Sequence, residues 1–129
     1  VVLHNLALAV LVGVIISALV FAWDNAKMIR ARKSIDAQGV KIYEIFGPLF
    51  FGSASNFTEK FDVDEDPQEI IIDFKESRIV DMSALEALKK MNDRYALLGK
   101  RMALRNVSDE GVRLIENTKG AVVLQILDK

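Results

Sequence analysis

The chain has no cysteine, so neither disulfides nor thiolate chemistry are open to it, which fits a reducing cytoplasm. Its one histidine, His4, stands beside an apolar run and cannot build a metal site or a catalytic triad with anything nearby. Seventeen Lys/Arg against eighteen Asp/Glu leave a net charge of −1, with no basic excess to hold a nucleic-acid backbone. Nucleic acid is therefore not an expected partner. Charge is also missing locally, because no side chain from Leu6 to Trp23 carries one.

That run is the most informative feature present. At about 1.5 Å of helix rise per residue it reaches roughly 27 Å, close to the hydrocarbon thickness of a bilayer. A buried core helix is the competing reading, but packing against a sheet hides only one stripe of a helix, and this one is apolar all round. The run predicts a transmembrane helix over residues 1–23, with Trp23 at the interface. Lys27, Arg30, Arg32 and Lys33 follow it, and their bias to one side places everything after Trp23 in the cytoplasm and the chain in an inner or plasma membrane. These four basic residues are candidates to face anionic lipid, each contributing about 1 kcal/mol near the surface; marking topology explains them equally well. The opening Val1-Val2-Leu3-His4-Asn5 lacks the basic start of a secretory signal and reads as the edge of an excised piece.

Residues 24–39 read as a basic juxtamembrane linker or a helical extension broken at Gly39, and residues 40–129 as one compact domain. Val40–Phe46 alternates apolar and polar residues as a half-buried strand does, Gly47-Pro48 punctuates it, and Leu49–Phe51 forms a second short strand. Phe57 and Phe61 share one face of a short helix. Glu69–Phe74 is a β-branched run of the kind expected of a central strand covered by helices on both faces. Ser83 with Glu86 reads as a capping box opening a helix whose apolar face carries Leu85, Leu88, Met91, Tyr95 and Leu98, and Gly99 supplies the exit. Arg101–Val107 is a further strand, Ser108 caps a helix through Asn117, and Ala121–Leu127 is strand-like. The alternation predicts an α/β fold, a small mixed sheet of four to five strands with helices, preceded by an apolar helix.

Three separated pieces agree in order and spacing with a known family: Gly47-Pro48-Leu49-Phe50-Phe51-Gly52-Ser53-Ala54, Ile71-Ile72-Asp73-Phe74, and Val80-Asp81-Met82-Ser83-Ala84-Leu85-Glu86-Ala87-Leu88. With them the chain resembles the carboxyl end of a SulP-family (sulfate permease type) anion transporter, its last membrane helix followed by a cytoplasmic STAS domain of SpoIIAA-like fold. The third piece is shared with STAS domains more widely, including the anti-sigma factor antagonists. The resemblance implies a secondary active transporter of sulfate or a related anion, whose STAS domain regulates it and offers a surface to a protein partner. The transporter's own membrane domain is then a further partner.

Ser83 stands where the antagonist branch carries its phosphorylatable serine, and Asp81 would there orient a kinase or a basic partner. The plainer roles are an N-cap for Ser83 and Asx-type loop bonds for Asp81. Met82 and Ala84 replace the small hydroxyl residue and glycine that usually flank the antagonist serine, which favours the transporter branch. Asp62, Asp64, Glu65 and Asp66 are dense in carboxylate but lack the spacing of an EF-hand, so they read as a solvated connection and no metal is expected. Gly47–Gly52 lacks the Lys-Ser/Thr ending of a phosphate loop, and no cofactor or enzymatic role is expected. The apolar helix favours pairing with a second copy as a homodimer. Deleting residues 1–23 is expected to leave a folded, monomeric and more soluble domain.

Overall fold

The charge-free run folds as its composition requires. In the computed structural model, which describes residues 2–127 apart from the side chain of Lys27, helix α1 covers Val2–Lys27. Its 26 residues extend about 39 Å. It is long and apolar enough to cross a membrane, and none of its apolar window is buried against the rest of the chain. Only Met28 and Ile29 separate it from strand β1 (Arg30–Ile35), and Ile29 is already in the hydrophobic core.

The remaining elements are β2 (Lys41–Leu49), α2 (Ala54–Thr58), β3 (Glu69–Ile79), α3 (Met82–Leu97), β4 (Arg101–Arg105), α4 (Asp109–Glu116) and β5 (Gln125–Leu127). They build a five-stranded mixed sheet in sequence order, with β1 antiparallel to β2 and the other neighbours parallel. Residues 30–35 are thus an edge strand, where a linker or helical extension was expected. Its sequence Arg-Ala-Arg-Lys-Ser-Ile carries no apolar alternation, because the strand is held by its backbone ladder to β2 and is largely exposed. Asp36 closes the hairpin by accepting from the N–H groups of Gln38 and Val40, both at 2.9 Å, with Gly39 at φ +84°.

Gly47-Pro48 does not end a strand, as its turn composition implies it should: the first expected strand runs through it to Leu49, while Phe50 and Phe51 of the second lie in the turn that follows. Pro48 needs no ladder N–H where it stands, and Gly47 adopts φ +104° with a virtual Cβ only 3.1 Å from the Met28 carbonyl. Glycine is required because the α1–β1 connection crosses directly over it. Opposite, β3 runs five residues further than its β-branched core. Glu44 pairs with Asp73 but Phe46 pairs with Glu76, so β3 holds one extra residue, a bulge. The bulge switches the core-facing parity of β3 from Ile70, Ile72 and Phe74 to Ile79, which matches Leu49 of β2.

Helices α2, α3 and α4 supply Phe57, Leu85, Leu88, Met91, Tyr95 and Ile115 to the core cluster over these strands. Leu98, expected on the apolar face of α3, is its half-exposed C-cap, and Gly99 makes the left-handed exit at φ +72°. The second face of the sheet is not covered by helices, contrary to the pattern read from Glu69–Phe74. It carries Arg32, Glu44, Phe46, Asp73 and Arg105 around an open depression of about 610 Å³.

Candidate functional site

Ser83 does not cap α3. The cap is Asp81, in extended backbone (φ −147°, ψ −178°), whose Oδ1 accepts from the Ala84 N–H at 3.0 Å. The helix therefore opens two positions earlier than the Ser83–Glu86 box implied, and the amide that the cap takes is that of Ala84. Ser83 instead lies in the first turn, half-buried, while Glu86 is exposed. The loop-holding role foreseen for Asp81 is what the geometry shows, because its Oδ2 also accepts from the Phe51 N–H at 3.1 Å. One carboxylate therefore ties the start of α3 to the turn after β2.

That turn reaches α1. The Trp23 ring lies 6.0 Å from Phe50, edge-on, and 5.5 Å from Phe51. Gly52 sits under both: a Cβ there would meet the Phe50 ring at 2.7 Å and the Trp23 ring at 3.1 Å. Ser53, fully buried, fixes the turn by donating to the Pro48 carbonyl at 2.8 Å and accepting from the Phe50 N–H at 3.2 Å. The sequence signalled aromatic core residues here, but only Phe50 is partly enclosed; Phe51 is 63% exposed.

Of the four basic residues, Arg30, Arg32 and Lys33 do not share one face. The side chain of Lys27 lies outside the described residues. Arg30 and Arg32 are exposed on β1, where Arg32 faces Glu44 across the ladder on the uncovered side of the sheet. Lys33 points to the other side, bonds Asp62 at 2.8 Å and lies 5.8 Å from the Tyr43 ring. That lysine holds the Asp62 carboxyl below the usual carboxylate range, chiefly through this hydrogen bond. A strand alternates sides where a helical exit would have clustered its charges.

The acidic connection is not uniformly solvated either. Asp66 is buried, and its Oδ2 accepts from both tyrosine hydroxyls of the chain, Tyr43 and Tyr95, each at 2.5 Å. Lys41 Nζ stands 3.2 Å from Oδ1 without the direction of a hydrogen bond, leaving that oxygen only an electrostatic partner. The Asp62 N–H donates to the Tyr43 hydroxyl, and Lys100 donates to the Val63 and Asp64 carbonyls. Burial pushes both tyrosines above their ordinary value, with the Asp66 carboxylate adding to it. This cluster was missed because charge density pointed outward; the signal available was that the only two tyrosines lie on apolar faces, where a hydroxyl needs an acceptor.

On the uncovered face Asp73 accepts from Arg105 at 2.9 Å, from Asn106 at 2.9 Å and from the Lys75 N–H at 2.9 Å. Burial alone would raise its carboxyl, yet these donors hold it below the usual range. Asn106, at φ +59°, carries the turn out of β4. Among the described residues no group of three or more acidic or histidine side chains is placed to hold a metal.

Comparison with known proteins places this architecture. Residues 31–126 match the STAS domain family. The chain belongs to that family. The putative sulfate transporter YbaR of Bacillus subtilis is 28% identical over 116 residues, 90% of this chain and 24% of its own length. The chain thus spans about a quarter of this relative, and a match longer than residues 31–126 extends into α1. A sulfate transporter family protein of Wolinella succinogenes is 30% identical, with 67% of this chain and 71% of that one covered and a TM-score of 0.56. An antisigma-factor antagonist STAS domain of Rhodobacter sphaeroides shares the fold at 24% identity, covering 60% of this chain and 85% of its own, with a TM-score of 0.54. The chain is thus similar in sequence to transporter STAS domains and shares its fold with an antagonist STAS domain. Its apolar helix precedes the domain, at the N-terminal end of this chain.

Proposed function

We propose that this chain is the regulatory STAS domain of a SulP-type secondary anion transporter, joined through α1 to the membrane part of that protein. The observation that carries the reading is the continuity of the two parts. A helix fit to span a bilayer runs into the sheet with two residues between, and the relationship to YbaR runs across the same junction. In this reading α1 crosses an inner or plasma membrane, residues after Trp23 are cytoplasmic, and the domain acts on its own membrane part and on protein partners. In this reading it performs no chemistry itself, and the carboxylates of Asp66 and Asp81 hold loops and a helix cap.

Radiolabelled sulfate and bicarbonate uptake in cells expressing the whole protein, with and without residues 30–129, tests the reading. Uptake of one of these anions that falls or loses its regulation on removal of the domain is the expected result. Absence of uptake of either anion under any gradient would overturn the assignment.

A second reading, a phospho-regulated module of the antagonist type, has one observation in its favour: Ser83 occupies the first turn of α3. A phosphate there would gain from the helix N-terminus but face Asp81, whose carboxylate already holds both the Ala84 and Phe51 amides. Modification would then disturb the link from α3 to the turn at Phe51.

A further inference from the structure

Three exposed apolar residues of the STAS domain meet at one corner. Phe51 is 63% exposed, Val80 53% and Met82 47%. Val80 and Met82 flank Asp81, and Asp81 is bonded to the Phe51 amide, so the three belong to one junction of the β2 and β3 ends with α3. The Val80 N–H donates to the Leu49 carbonyl at 3.0 Å, closing that junction from the strand side. Phe51 in turn touches Trp23, the last residue of α1 before its first charge, Asp24.

This contact sets a depth. When α1 spans a bilayer, the end of its uncharged run puts Trp23 at the boundary of acyl chains and head groups, where indole side chains collect. Whatever packs on Trp23 lies at the same level within a ring diameter. Soluble domains do not ordinarily gather exposed aromatic and apolar side chains beside one another, and such a patch marks an interaction site. We propose that Phe51, with Val80 and Met82, docks the STAS domain onto the lipid surface beside α1, so that the start of α3 faces the membrane. The proposal rests on the reading of α1 as a span and adds to it a lipid contact made by the domain itself.

The chain is suited to a direct test, having one tryptophan and no cysteine. The full chain is reconstituted in vesicles of phosphatidylcholine and phosphatidylglycerol. Quenching of Trp23 by lipids brominated near the head-group end of the acyl chain reports the span. Nitroxide labels at Phe51→Cys, Val80→Cys and Met82→Cys, and at Leu97→Cys on the far end of α3, report docking through collision with oxygen and with a water-soluble nickel chelate. All four positions are exposed, and a thermal melt of each variant confirms the fold. The expected result is Trp23 quenching together with an oxygen-to-nickel ratio several-fold higher at positions 51 and 82 than at 97. If Trp23 is quenched but those labels meet nickel as freely as position 97 does, docking is overturned and the span stands. Labels shielded from both reagents would mean that protein covers the corner, which also overturns lipid docking. An unquenched Trp23 removes the span and the proposal with it.

Discussion

Asp81 does the work that composition assigned to Ser83. Its two carboxylate oxygens take separate amides, one in α3 and one in the turn after β2. Replacing a capping carboxylate with alanine costs about 1 kcal/mol, and loss of the Phe51 bond adds to it. Asp81→Ala should therefore lower stability by about 1–2 kcal/mol in urea unfolding of the domain. Ser83→Ala should stay within about 0.5 kcal/mol, as expected for a residue that caps nothing. Equal losses in the two variants would return the cap to Ser83.

At the scale of elements, the two tyrosines join β2 and α3 to the connection before β3 through a single carboxylate. Both hydroxyls are pushed above the ordinary tyrosine value of 10.0, first by burial. A raised pKa in the folded state contributes stability that is complete below the unfolded value and is lost as pH rises beyond it. Phenolate absorbance should therefore not appear near pH 10 in the folded chain, and should rise together with alkaline unfolding. Gradual titration around the ordinary value, with the fold intact, would show that the hydroxyls are not engaged. Much of this architecture was legible beforehand: the β-branched run became the first half of β3, the middle strand of the sheet, and Gly99 and Ser108 stand at the boundaries their chemistry implies. What escaped notice depended on long-range pairing. β1 has no apolar pattern of its own, and the bulge in β3 exists only relative to β2. The partners of Asp66 lie 23 and 29 residues away, so its burial is invisible in local composition.

For the whole molecule, α1 contributes nothing to the core cluster, whose first member is Ile29. A chain lacking residues 1–27 should remain a cooperatively folding monomer by thermal melting and sedimentation, and be more soluble; an insoluble or molten product would place α1 in the core. The junction itself has a mechanical meaning. With Ile29 locked in the core, the Met28 amide bonded to Asn25 and the Met28 carbonyl seated over Gly47, there is no slack segment between helix and sheet. A tether would let the domain swivel and lose any signal within its own thermal motion. A joint this short works as a crank: a tilt or turn of α1 must reappear as a turn of the edge strand, and a load on the sheet must bear on the helix in return.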